Sequence, residues 1–161
     1  MRNIYRIIWV VLFLIAIPID LPAQKMDNYL MLKEVNKARS KRCKCGTMKF
    51  KPATNLIWDV KLEQAAIRHA EDMSQRKKLN HTGSDKSTVA TRVTDEEFTW
   101  KLVGENIAEG YPDIIAVVSG WMNSPGHCKN IMNPQFTHMD AAVSSDGKYW
   151  VQVFATPMEK L

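Results

Sequence analysis

The chain reads as an α+β domain in which helices pack around a small antiparallel sheet. Apolar residues recur at helical spacing through most of the sequence, and the C-terminal part switches to the two-residue period of strands. No strand-helix unit repeats, which argues against a parallel α/β architecture. With 161 residues and 45% hydrophobic content, the chain has enough apolar surface for one substantial core and no room for a second domain.

Across residues 26–40, Tyr29, Leu30, Leu32, Val35 and Ala38 lie near one helical face, with basic residues at the end that the helix dipole favours. The run Lys37, Arg39, Lys41, Arg42 and Lys44 reads as a solvated helix end, with contact to an anionic surface as the alternative. Aromatic residues do not alternate with these charges, so a nucleic-acid surface is not indicated. Gly46 and Pro52 mark a loop, and Leu56-Ile57-Trp58 is a short apolar run followed by Asp59 as a plausible N-cap. Leu62, Ala65, Ala66, His69, Ala70 and Met73 then give an unbroken helical stripe, on which His69 reads as a core residue with one hydrogen bond.

Residues 80–91 are polar and turn-rich, placing His81 at the start of an irregular segment. Pro112 and Asp113 open another helix, with Ile114, Ile115, Val117, Val118, Trp121 and Met122 as its buried face and Pro125-Gly126 as its end. Residues 141–145 and 148–155 form a hairpin about Asp146-Gly147. Tyr149, Val151 and Val153 lie on one face and Trp150, Gln152 and Phe154 on the other, so the sheet is expected to be covered on both sides.

A basic start with Arg2 and Arg6, an apolar run from Ile7 to Ile17 and a small residue at Ala23 predict a secretory signal peptide over residues 1–23, leaving 24–161 as the mature domain. The run is too short to span a bilayer, and an uncleaved anchor is the alternative. Cleavage removes Arg2, Arg6 and Asp20 and lowers the net charge from +5 to +4. The expected location is secreted, periplasmic or at the cell surface, with no transmembrane helix after cleavage, and there the three cysteines become disulfide candidates. Cys43 and Cys45 are poorly placed to bond each other, which leaves Cys128 as the distant partner of one of them. A loop of roughly eighty residues closed in this way stabilises a domain by about 4 kcal/mol in the chain-entropy model.

Three separated segments carry the chemistry: His81-Thr82-Gly83, Gly104-Glu105-Asn106 and Trp121 through Cys128. Their two histidines and one carboxylate suit a single polar cleft. Together with Val35-Asn36-Lys37-Ala38-Arg39, Leu56-Ile57-Trp58 and Tyr149 to Phe154, the order and spacing of these motifs resemble the CAP superfamily (cysteine-rich secretory proteins, antigen 5 and pathogenesis-related proteins), in its bacterial SCP-domain branch.

The resemblance implies an α-β-α sandwich and a binding cleft of two histidines and two glutamates. His81, Glu105 and His127 match three members of that set, while Ser124 stands where the other glutamate is expected. It also implies a bridge from Cys128 to Cys45, with Cys43 as the alternative partner. Lys86 occupies a position that is often glycine in resembling bacterial sequences, and His138 and Asp140 stand in place of Glu and Gly. His138 reads as an exposed strand-entry residue, with a further ligand to the cleft as the alternative.

His81 and His127 are the expected ligands of zinc or another divalent metal, and Glu105 is either a third ligand or the carboxylate that orients a histidine. Two histidines without further protein ligands make a weak metal site. A hydrogen-bonded polar cluster that holds loops together is the other reading. The expected function is therefore a secreted binding module for a divalent metal, a small lipid or a cell-wall fragment. The alternatives are a metal-assisted hydrolase, peptidase or esterase, with Glu105 as its candidate catalytic base, and an extracellular protein-interaction domain. A Ser124, His127, Glu105 triad has the right residue types but lacks a nucleophile elbow.

Overall fold

The computed structural model describes residues 26–159, so the expected leader at residues 1–23 lies outside the described part. Its elements run α1 (Asn28–Arg39), β1 (Cys43–Cys45), β2 (Met48–Phe50), β3 (Ile57–Trp58), α2 (Val60–Arg76), α3 (Val89–Asp95), β4 (Trp100–Glu109), α4 (Ile114–Asn123), α5 (Pro125–Met132), β5 (His138–Val143) and β6 (Tyr149–Pro157). A four-stranded sheet in the order β3-β5-β6-β4 forms the middle layer, and β1 and β2 pair as a separate hairpin. Helices α2 and α3 cover one face, while α1, α4 and α5 cover the other. This is the expected α-β-α sandwich.

The sheet is mixed, however, because β3 runs parallel to β5 in a two-residue pairing. The side chain of Asn36 on α1 explains how so short a strand is held. Its amide donates to the Leu56 carbonyl at 3.0 Å and its oxygen accepts from the Leu56 amide at 2.8 Å.

The predicted hairpin is β5-β6, and its alternation divides the core in two. Tyr149, Val151 and Val153 join Leu62, Ala65, Ala66, Ala70 and Met73 of α2 beneath one face. Trp150 and Phe154 join Met31, Val35, Val117 and Trp121 on the other. Asp59 caps α2 by accepting from the Lys61 amide at 2.9 Å, and Asp113 caps α4 by accepting from the Ala116 amide at 2.8 Å.

Several expectations are corrected. The buried face of α1 is Met31, Val35 and Arg39, a phase in which Tyr29 points outward at 76% exposure. Ile115 of α4 is likewise exposed, at 61%. Pro125 opens α5 at its first position as well as following α4, which suits its missing N–H. Val89–Asp95 is a helix where polar composition indicates loop; Thr88 caps it, and Thr88 and Thr91 form a reciprocal capping box.

The largest correction concerns the basic run. Lys37, Lys41, Arg42 and Lys44 are exposed, but Arg39 is fully buried. Its guanidinium donates to the carbonyls of Thr54, Ile131, Asn133 and Phe136 at 2.6 to 3.3 Å. Ile131 and Asn133 lie at the C-terminal end of α5, where the helix dipole is negative and the last carbonyls lack partners within the helix. Burial pushes the Arg39 pKa down to about 10, which leaves the group charged at neutral pH. Arg39 thus joins α1 to α5 from inside the core.

Candidate functional site

The position of His81 follows from the end of α2. Asp72 and Arg76, one helical turn apart, pair at 2.6 Å and together grip the following loop. Asp72 accepts from the Ser84 amide at 3.2 Å, and Arg76 donates to the Thr82 carbonyl at 3.1 Å. Burial raises the Asp72 pKa, but the bonds from Ser84 and Arg76 outweigh it and leave the net shift downward. Gly83 makes the turn possible, since a Cβ there would sit 2.5 Å from both Asp85 Oδ1 and Ser87 Oγ. The Asn80 carbonyl accepts at 2.8 Å from Nε2 of the buried His69. Burial, the largest cause, holds the His69 pKa down and keeps that ring neutral.

Gly104-Glu105-Asn106 lies in the edge strand β4, where three consecutive residues have three separate tasks. At Gly104 a Cβ would stand 2.7 Å from Cζ of Phe136, so the strand can pass that ring only without a side chain. Glu105 and Asn106 point to opposite faces of the sheet, as strand alternation requires.

Glu105, its side chain only 2% exposed, turns toward the α2-α3 layer. There Oε2 meets the Arg92 guanidinium at 2.6 Å and Oε1 accepts from His81 Nδ1 at 2.7 Å. Arg92, on α3, also donates to the carbonyls of His81 and Ser87 at 3.3 and 3.0 Å. One buried arginine therefore fixes both the carboxylate and the loop that carries its histidine. The His81 ring projects outward, with its side chain 59% exposed.

Asn106 turns toward α5. It donates to the His127 carbonyl at 3.2 Å and to Gln152 Oε1 at 3.1 Å, while its own oxygen accepts from Asn130 at 2.8 Å. Asn130 also donates to the Glu105 carbonyl at 3.0 Å. Two consecutive strand residues thus hold one histidine segment on each side of the sheet edge.

His127 lies in the first turn of α5 and is half-buried. Burial and then the neighbouring His81 charge push its pKa down, so the ring is neutral near pH 7. Ser124 is at the junction of α4 and α5, and its side chain makes no cap hydrogen bond. Cys128 is bonded to Cys45, Cα to Cα 5.5 Å across a separation of 83 residues, and Cys43 remains a thiol. Gly46 abuts Pro125, so the β1-β2 hairpin braces the start of α5 directly as well as through the disulfide.

Both Glu105 oxygens are engaged inside the protein, which leaves the carboxylate as an orienting group for His81. Among the described residues, no hydrogen bond joins the His127 ring to Ser124, and His138 packs edge-on against Phe98 with centroids 5.9 Å apart. The one set of three His, Cys or carboxylate ligand atoms found within 4.8 Å of one another, among the described residues, is Cys43, Cys45 and Cys128. Two of these share the disulfide, so the set offers one thiol.

Arg92, Asn130 and Arg39 are absent from the sequence-level site. For Arg39 a signal exists, because Met31, Val35 and Arg39 are spaced by four and share a helical face. Arg92 and Asn130 give none until the fold sets them beside Glu105 and Asn106.

The sandwich and the His-Glu-His edge define a CAP domain. The chain belongs to the cysteine-rich secretory protein family (CAP), which matches residues 32–154. It is 35% identical over 99 residues to the uncharacterized membrane protein YlbC of Bacillus subtilis, covering 62% of this chain and 28% of that protein. It is 34% identical over 96 residues to the uncharacterized protein YkwD of the same organism, covering 60% and 37%. The chain thus matches about a third of the length of these curated relatives. An extracellular protein containing an SCP domain from Bacillus anthracis superposes with a TM-score of 0.70 at 30% identity, covering 80% of this chain and 39% of that one. Among the described residues no helix is long and apolar enough to cross a membrane.

Proposed function

We propose that this CAP domain acts outside the cytoplasm as a binding module whose cleft holds a divalent metal ion, zinc in the first instance, through His81 and His127. One observation carries the reading: His81 donates from Nδ1 to a carboxylate that Arg92 already clamps, so Nε2 is left as the outward-facing lone pair. A histidine fixed by a carboxylate in this way is the usual support of a metal ligand. His127, whose pKa burial pushes down, meets the other requirement, an unprotonated ring.

The donors on offer are two imidazole nitrogens, one from His81 and one from His127, with Glu105 bonded behind the first. Ser124, in place of a carboxylate, adds no charge, so the site is expected to be weak. When bound, zinc supplies Lewis acidity and lowers the pKa of a coordinated water. Binding is favoured over hydrolysis because Glu105 is buried and doubly engaged, leaving it unsuited to taking a proton from a substrate.

Zinc titration of the full chain by calorimetry, with His81→Ala and His127→Ala alongside, tests this directly. The expected result is one weak site in the wild type that disappears in each variant. Identical heats in all three proteins would remove the metal reading.

A second cavity favours a small lipid as a further ligand of the same module. About 390 Å³ in volume, it is lined by apolar Leu30, Ile114, Ile115, Val143 and Trp150 and by polar Asp27, Asp113, Ser144 and Ser145, and none of His81, Glu105, Ser124 and His127 borders it. That size and lining suit a small apolar ligand. Displacement of a fluorescent fatty acid, lost in Ile115→Asp with zinc binding retained, would support this second reading. Equal displacement in both proteins would place the lipid elsewhere.

A further inference from the structure

Beside the staple that braces α5 lies a free thiol, Cys43, packed half-buried against the core. Cys43 and Cys45 are two apart in β1 and project to the same side of the strand. Their sulfurs are 3.9 Å apart, and Cys43, Cys45 and Cys128 all have their sulfurs within 4.8 Å of one another. Only Cys43 carries a hydrogen, so it is the donor in the Cys43-Cys45 contact. Cys43 is half-buried, whereas Cys45 and Cys128 are buried. The thiol lies side-on to the Cys45–Cys128 bond and not in line with it, so exchange requires the Cys43 side chain to swing into line, and access to that disulfide is otherwise closed.

We propose that the three sulfurs form a thiol–disulfide exchange site in which Cys43 is the attacking group and the Cys45–Cys128 bond is its substrate. The Cys43 thiolate attacks Sγ of Cys45, a Cys43–Cys45 bond forms as the Cys45–Cys128 bond breaks, and Cys128 leaves as the thiolate. The proton lost from Cys43 passes to solvent and one is regained at Cys128, so electrons and atoms balance without an outside oxidant. The small ring across a single intervening residue disfavours the product, which keeps the staple as the resting form. A low-molecular-weight thiol entering from solvent can then reduce the Cys43–Cys45 bond at the half-buried Cys43 sulfur and complete the opening.

The surroundings give the exchange a cost and a consequence. Burial pushes the Cys43 thiol above its ordinary pKa despite the exposed Lys41, Arg42 and Lys44 nearby, so exchange is slow near neutrality and quickens in alkali. Release of Cys128 removes the covalent tie at the residue next to His127 and leaves the first turn of α5 held by the Asn106 bond to the His127 carbonyl and by the contact of Gly46 with Pro125. The exchange thereby reaches one wall of the cleft, and it stands or falls independently of what the cleft binds.

The test follows the free thiol in the oxidised full chain. Samples held at pH 7 and pH 9.5 without reductant are quenched in acid, labelled with N-ethylmaleimide and mapped by mass spectrometry without reduction. The expected result is label on Cys43 at the outset and a growing fraction labelled on Cys128 at pH 9.5, accompanied by a bridged Cys43–Cys45 peptide. With dithiothreitol, Cys128 should become reactive several-fold faster in the wild type than in Cys43→Ser or Cys43→Ala. Label confined to Cys43 at both pH values, with equal reduction rates in all three proteins, would overturn the proposal. Label appearing on Cys45 would overturn the stated direction of attack. The label-transfer arm uses the wild type alone and does not depend on the variants folding.

Discussion

At the scale of single residues, the site depends on Arg92 as much as on the motif residues it supports. Its ion pair with Glu105 is almost wholly buried, so removal of the cation leaves a carboxylate with no compensating charge. Breaking such a pair costs about 3–5 kcal/mol, and Arg92→Met is expected to lower the urea-unfolding free energy by about that amount. Asp140 presents the opposite case. It is fully buried on β5, with Oδ1 accepting from the Ala141 amide and Oδ2 without a partner. Burial first and then the nearby Glu63 push its pKa up to about 10, so the folded protein holds a proton that the unfolded chain releases near pH 4. Its contribution to stability is therefore complete in acid and falls as the pH rises toward 10, by at most about 1.4 kcal/mol per pH unit. Asp140→Ala should stabilise the domain by about 1–3 kcal/mol at pH 8 and by less at pH 5, as read from denaturant curves at both pH values.

His69 and His127 titrate with the reverse sign. Burial depresses both, so their contribution is present above pH 6.5 and is lost as the pH falls through their lower folded values. His127→Asn should make the acid side of the stability–pH curve shallower, and an unchanged slope would show that this ring is not held neutral. The placing of His81, Glu105 and His127 at the sheet edge was legible in the sequence, because motifs carry these residues. Arg92 was not, because a single arginine in a polar segment acquires meaning only from the strand that brings Glu105 beside it.

Among the elements, the helices with unbroken stripes were the most legible. Every residue named on the α2 stripe is buried. Strand β4 gave no such pattern, because Glu105 and Asn106 occupy buried positions where alternation calls for apolar residues. The polar residues that make the site therefore hide the strand that carries it. The 81–88 loop shows a related departure at Lys86, which adopts φ +67° in the left-handed region. Glycine there avoids the Cβ penalty, and Lys86→Gly should stabilise the domain by about 0.5–1 kcal/mol after allowance for the greater freedom of glycine in the unfolded chain. Thermal melts of the two proteins read this directly, and a lower melting temperature for the variant would show that the lysine side chain makes a contact worth more than the strain.

For the molecule as a whole, the sheet acts as a partition whose exposed edge joins two halves. The α2-α3 layer supplies His81 and the Arg92 clamp, and the α1-α4-α5 layer supplies His127. Glu105 and Asn106, back to back on β4, hold the two together. The layers and the hairpin could be read from periodicity, but this joining depends on an edge strand and on buried polar contacts that periodicity does not register. The proposed metal site is formed by His81 and His127, and not by the nearby cysteines. X-ray absorption at the zinc edge of the zinc-loaded full chain tests it most directly. Binding by the two histidines gives a first shell of nitrogen and oxygen at about 2.0–2.1 Å with outer scattering from two imidazoles, whereas sulfur at about 2.3 Å or the absence of imidazole scattering would rule it out.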